Sequence, residues 1–266
     1  RHLANEMLYY NGEYVKGAAL ECVEYVMANT APSHVTGNTH FGRFLNEDRI
    51  NEFCDRCIKY LENKLGVPAH GILSFDLKPL YPEIKVRMDI VSRDKVKCIC
   101  PWTTAQLIAI YSEETEGYLE NIGFLFQQMD LYLQTLGLGV CWLGMGKLNP
   151  RTTADVAGMK FVIMLAFGHP KGDPLRHDLK SFRRKSMEQI TDKPDTGLEP
   201  ARLAPSAVNS QPWYFTHEDD TIHVWCSKKG SRLDAGIALA HLYVSNEATF
   251  RFFKAENVAE VPGYLY

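Results

Sequence analysis

QLIAIYSEETEGYLENIGFLFQQMDLYLQTLG, residues 106–137, changes structural period within one continuous run. Residues 106–111 (QLIAIY) are short, apolar and closed by the acidic turn SEETEG, which predicts a strand. From Ile122 onward the period becomes helical. Ile122, Leu125, Phe126, Met129, Leu133 and Leu136 mark one apolar face, and Gly137 predicts the helix end. A strand, a tight turn and a long amphipathic helix make one α+β unit.

The same order recurs downstream. IHVWCS (222–227) reads as a strand and DAGIALAHLYVSNEATFRFFK (234–254) as a long helix. Ile108 and Ile222 are 114 residues apart, and Gly123 and Gly236 are 113 apart. The near-constant offset across strand, turn and helix predicts one α+β unit present twice. Elsewhere, helices are expected over 18–29, 46–65 (Asn46 as cap) and 197–204. A further strand is expected over 161–168 (FVIMLAFG). Residues 66–96 read as loop with short elements, and 169–186 as a polar, basic surface connection.

Composition narrows the function. The 266 residues carry 29 Lys plus Arg against 32 Asp plus Glu, a net charge of −3, so a general nucleic-acid binder is not expected. No apolar run approaches about 18 residues, so no membrane span is expected. The residues from Arg1 onward show no charged-then-apolar pattern, so no signal segment is expected there. Seven cysteines, an odd number, argue for a reducing compartment, and the expected location is cytoplasmic. Cys54/Cys57 and Cys98/Cys100 could supply four thiolates. The first pair falls in a helical pattern and the second in a strand-like one, so structural thiols are preferred over a metal centre, and no metal is expected.

Three stretches carry chemistry. APSAVNSQPW (204–213) sets Pro205, Ser206, Asn209 and Gln211 in one short run before Trp213: turn residues plus surplus uncharged hydrogen-bonding groups. LQTLGLGVCWLG (133–144) ends a helix in glycines and continues to Met145 and Gly146, where backbone N–H groups can come close to a ligand. FVIMLAFGHPKGDP is followed by the basic cluster Arg183-Arg184-Lys185, suited to a phosphate. A capped turn, a plain helix end and a solvated linker are the bland alternatives. Trp213 is read as packing beneath the motif, and His241 as a satisfied core or interface histidine.

Together these stretches resemble the FMN-dependent nitroreductase family, over roughly residues 104–250. The order, glycine loop before PSxxNxQPW, resembles a subgroup in which two half-units are fused in one chain. The resemblance implies an α+β fold with antiparallel-type sheets flanked by helices. It implies a pseudo-dimer of a first half (1–180) and a shorter second half (181–266), acting as a monomer or a loose homodimer. It also implies one FMN, with NAD(P)H as hydride donor and a nitroaromatic, quinone or similar small molecule as electron acceptor. Pro205, Ser206, Asn209 and Gln211 would serve the flavin edge, and Gly144, Met145 and Gly146 its reactive face. Arg183, Arg184 and Arg43 would hold the phosphate. The family's N-terminal Arg-rich segment is here reduced to THFGRF (39–44), with Arg43 its one arginine. That departure supports the rival reading, a non-catalytic binding protein that keeps the fold. No catalytic side chain is assigned.

Overall fold

The computed structural model describes residues 9–10, 13–16, 77–98, 106–135, 137–149, 158–171, 178–254, 258 and 260–266. The helices expected over 18–29 and 46–65, together with Arg43, Cys54, Cys57 and Cys100, lie outside the described residues. The chain forms two compact units. Among the described residues one gathers 9–16, 85–114 and 133–171, and the other 77–84, 115–132 and 172–266.

The first unit is built on a six-stranded sheet. Its strands are β1 (Tyr9–Tyr10), β2 (Glu13–Lys16), β3 (Val86–Ser92), β5 (Gln106–Ser112), β6 (Gly139–Leu143) and β8 (Lys160–Gly168). The order is β1-β2-β3-β5-β8-β6, antiparallel except for the β2–β3 pair. A small ribbon pairs β4 (Val96–Lys97) with β7 (Lys147–Leu148). Strand β5 lies between β3 and β8, and Leu107, Ile108, Ala109 and Ile110 are all fully buried. Burial on both faces is why this strand reads as an unbroken apolar run rather than an alternating one. Leu107, Ala109 and Tyr111 pack on one face with Val91, Leu143, Met164 and Ala166.

Strand β3 was expected only as part of a loop with short elements. Its pattern is broken by Arg87 and Asp89, which are buried and form a two-pronged ion pair, Nε to Oδ1 at 2.9 Å and Nη2 to Oδ2 at 2.8 Å. Positions two apart share one face of a strand, so the two charges neutralise each other there. The guanidinium also lies 5.5 Å from the Tyr111 ring centroid. Burial, with the Asp89 charge second, pushes the Tyr111 phenol up to about 12.

The second unit contains α1 (Tyr118–Thr135, through residue 132), α2 (Glu199–Leu203) and α3 (Arg232–Ser245). Its three-stranded antiparallel sheet has the order β11-β10-β9, formed by β9 (Trp213–Glu218), β10 (Thr221–Ser227) and β11 (Tyr264–Leu265). Helix α1 closes as expected. Gly137 takes φ +76°, its N–H donates to the Gln134 carbonyl, and Leu138 N–H reaches back to Leu133, the paired bonds of a Schellman end. Helix α3 is shorter than the 234–254 expected. It starts earlier, where the Ser231 hydroxyl accepts from Leu233 N–H, and it stops at Ser245. Beyond it, Phe250 and Phe252 turn back onto Phe124, Tyr243 and Tyr81, so the apolar residues of the expected helix tail pack as a folded-back segment instead.

The two glycines spaced 113 apart meet across α1 and α3. A methyl group on Gly123 would sit 2.0 Å from the Leu233 carbonyl oxygen, and one on Gly236 would sit 2.1 Å from the Glu120 carbonyl oxygen. The contact is reciprocal, each helix placing its glycine against the other's backbone. Arg232 donates to Glu120 beside it (2.6 Å), and Gln127 meets His241 at 3.2 Å. Burial, with the Arg184 charge second, holds His241 down at about 4, which suits a neutral ring accepting from the Gln127 amide.

Gly123→Ala and Gly236→Ala therefore set two effects against each other. Alanine gains about 1 kcal/mol of helix propensity, but overpacking of this kind costs about 3 kcal/mol. Each variant is expected to lose about 2 kcal/mol by urea unfolding, with a lowered midpoint at constant m-value. A midpoint at or above the parent's would show that the helices do not touch through backbone.

Candidate functional site

The 204–212 segment joins α2 to β9 in the second unit. Helix α2 ends at Leu203, because Ala204 turns to ψ 146° and Pro205 cannot continue a helix. Ser206 is extended, and Ala207–Asn209 make a single 3-10 turn. Three non-glycine residues then take left-handed backbone: Val208 (φ +48°), Asn209 (φ +58°) and Gln211 (φ +47°). Asparagine tolerates this region, but a β-branched residue there costs of the order of 1–3 kcal/mol and persists only if its surroundings over-determine it. Val208 is 98% exposed, so its side chain does not anchor the turn.

The surroundings do. Within the loop, Asn209 N–H donates to Ser206 O (3.0 Å), Gln211 N–H to Ser206 Oγ (2.9 Å) and Gln211 Nε2 to Asn209 O (2.9 Å). From α3, Asp234 Oδ1 accepts from Ala207 N–H at 3.1 Å. From the basic cluster, a strap of residues 182–185 runs along the loop. Arg183 O accepts from Asn209 Nδ2 (3.0 Å), and Lys185 N–H donates to Gln211 Oε1 (2.6 Å). Lys185 Nζ donates to Gln211 O (2.8 Å), and the Arg184 guanidinium donates to Asn209 Oδ1. Arg202 fixes the strap in turn, donating to Lys185 O at 3.0 Å while paired with Glu199.

The expected site residues are therefore distributed as follows. Pro205, Ser206, Asn209, Gln211, Arg183 and Arg184 come together in the second unit, and the last two touch the motif directly. Gln211 is 3% exposed, with its amide engaged by the protein at both ends. Trp213, fully buried, opens β9 beneath the loop. Gly144, Met145 and Gly146 form the turn leaving β6 in the first unit, closed by Gly146 N–H to Leu143 O at 3.1 Å. Gly144 has open space around it and Met145 is 72% exposed. A methyl group on Gly146 would lie 2.6 Å from Met164 Sδ, so that side chain would have to shift to admit one.

Sequence reasoning missed Asp234 and the Asp192–His217–Asp195 cluster. The pattern Ser231-x-x-Asp234 is a capping-box signal, but the Asp234 carboxylate turns aside to the motif instead of back to its own helix. Asp234 is 3% exposed and its Oδ2 has no partner; burial, partly offset by the Ala207 bond, pushes it up to about 6. His217, on β9, meets Asp192 at 2.6 Å and Asp195 at 3.2 Å and ties residues 191–198 to the strand. Burial alone would raise Asp192, but hydrogen bonds from His217 outweigh it and hold this carboxyl at about 2. Among the described residues, no group of three His, Cys, Asp or Glu side chains is placed to hold a metal, and no helix is long and apolar enough to cross a membrane. A cavity of about 100 Å³ in the second unit, lined by Tyr81, Glu120, Cys226, Arg232 and Phe252 among others, contains none of the expected site residues.

Comparison with known proteins places residues 74–246 on a family model described as "Putative TM nitroreductase". A solved structure described as a putative nitroreductase from Thermotoga maritima MSB8 matches with 19% identity and a TM-score of 0.47, covering 67% of this chain and 73% of that one. No curated protein matches.

The Asp234 carboxyl makes a signed prediction. Its folded value is raised, so the native state binds more protons than the unfolded chain between about 4 and about 6, and this residue's contribution to stability falls as pH rises through that window. Asp234→Asn is expected to flatten that limb of the stability–pH curve, read by urea midpoints from pH 4 to 7. An unchanged limb would mean that Asp234 titrates in the ordinary carboxylate range.

Proposed function

The chain belongs to the nitroreductase family matched over residues 74–246, and from that premise we propose that it is an FMN-dependent oxidoreductase. The observation that carries the reading is the rigid, uncharged loop Pro205–Pro212, held in left-handed backbone at three residues by bonds from three directions. Such a preorganised edge of neutral donors and acceptors fits a flat heterocycle with a polar rim. The donor chemistry fits the group as well: a neutral loop for the ring and the exposed Arg183 for the phosphate.

When bound, FMN supplies the two-electron chemistry by which a hydride from NAD(P)H reaches a nitroaromatic, quinone or similar acceptor. The protein's part is to bind and orient. Pro205, Ser206, Asn209 and Gln211 are proposed for the ring edge, and Gly144, Met145 and Gly146 for its reactive face. Arg183, exposed at a corner with φ +50°, and Arg43 are proposed for the phosphate. Of the cluster expected at the phosphate, Arg184 has its guanidinium directed at carbonyls of its own chain and at Asn209.

The proposal includes two fused half-units, 1–180 and 181–266, forming a pseudo-dimer in a monomeric chain or a loose homodimer. The reciprocal Gly123–Gly236 contact supports it, because a residue and its counterpart meeting each other's partners is the signature of two-fold pairing. Free thiols at Cys98 and Cys226 support a reducing, cytoplasmic setting. A second reading, a ligand-binding protein without turnover, is favoured by the Asn209 and Gln211 amides already engaged within the fold.

Titration of the purified protein with FMN, followed by flavin fluorescence, is expected to give saturable binding. Anaerobic NADH or NADPH is then expected to bleach the flavin absorbance. Binding without bleaching selects the second reading, and no binding at excess FMN overturns both. Asn209→Ala with Gln211→Ala is expected to weaken FMN on the order of tenfold, about one net hydrogen bond.

A further inference from the structure

We propose that Arg184 is a positioning residue: it locks the Asn209 amide and the loop around it from the strap, instead of meeting a ligand's phosphate. The proposal rests on the flavin-binding reading only for its ligand arm.

All three guanidinium nitrogens donate within the fold. Nε and Nη2 both donate to the Leu203 carbonyl, at 3.1 and 3.0 Å, and Nη1 donates to Phe182 O at 3.0 Å and to Asn209 Oδ1. Leu203 is the last residue of α2, where a helix leaves its carbonyls unpaired and where positive charge is favoured. The planar fork closes that helix end and extends a further donor to Asn209, two residues before Gln211, which Lys185 holds. The guanidinium also lies 5.6 Å from the Phe182 ring centroid, which fixes its plane.

The consequence falls on Asn209. An asparagine amide can flip, exchanging acceptor and donor ends at little steric cost. Here Oδ1 faces Arg184, and Nδ2 faces the Arg183 carbonyl, so only one orientation satisfies both. The same bonds hold Asn209 and its neighbour Val208 in left-handed backbone. A lysine keeps the charge but has no planar fork, so it cannot hold Leu203 and Asn209 together. A phosphate approaching Arg184 would have to displace protein acceptors, whereas Arg183 beside it is exposed.

The test compares FMN with riboflavin, which lacks the phosphate, on the parent, Arg184→Lys, Arg184→Gln, Asn209→Ala and the Arg184→Gln/Asn209→Ala double variant. Each variant is first checked for a parent-like near-ultraviolet circular dichroism spectrum. Positioning predicts that Arg184→Gln weakens FMN and riboflavin by the same factor, on the order of tenfold. It also predicts that Arg184→Lys does not restore affinity, and that the double variant is no worse than Asn209→Ala. Weakening confined to FMN, or rescue by lysine, overturns the proposal in favour of phosphate contact. Independent effects in the double variant also overturn it. Hydrogen exchange at the amides of Asn209, Ser210 and Gln211, measured without ligand, is expected to quicken in Arg184→Gln and in Arg184→Lys. That arm separates the two claims. If the parent binds no flavin the functional reading fails, yet faster exchange still supports the lock, and unchanged exchange overturns it.

Discussion

The close approach of α1 and α3 at Gly123 and Gly236 is the constraint on which the second unit depends. Two helices whose carbonyl oxygens would lie about 2 Å from a methyl group at the crossing have no room for any side chain there. The crossing fixes what lies along both helices. Phe124 and Leu239 pack into one apolar cluster, Arg232 reaches Glu120, and Gln127 meets His241. It also fixes the start of α3, and with it Asp234, whose carboxylate receives the Ala207 N–H of the motif loop. A packing requirement between two helices is thereby connected to the geometry of a loop on the same unit.

That loop illustrates how a chain can hold an unfavourable backbone without glycine. The left-handed conformations at Val208, Asn209 and Gln211 are offset by hydrogen bonds from Asp234, from Ser206 and from the strap at 182–185. The strap is basic, and a reading from charge alone directs it to an anion. Its geometry directs much of it inward: one arginine to a helix end and an asparagine, one lysine to a glutamine. Arginine and lysine serve here as donors of fixed direction as much as carriers of charge.

Much of the fold was legible in the sequence, and what was not has physical causes. Strand β5, helix α1 and its Gly137 end, strands β8 and β10 and the short α2 followed from period and punctuation. Strand β3 was hidden because Arg87 and Asp89 interrupt its apolar pattern, and their mutual neutralisation is visible only once both are on one buried face. Strand β9 was hidden by its polar residues: Thr216 accepts from Trp225 Nε1 and His217 holds two carboxylates. The sequence pattern overstates helix α3 because its apolar tail residues, Phe250 and Phe252, pack by folding back, which preserves hydrophobicity but not the helix.

The sequence by itself determined that a strand followed by a long helix occurs twice, that two glycines stand 113 residues apart, and that 204–213 carries more uncharged hydrogen-bonding groups than a turn requires. Period and backbone permissiveness are local properties, and local properties survive in a string of letters. Only the tertiary structure decided that the two glycines face each other's helix, and that Asn209 and Gln211 bond to residues 183–185. Which acceptor a donor finds depends on where distant chain segments come to rest, and the spacing of residues along the chain carries no record of that.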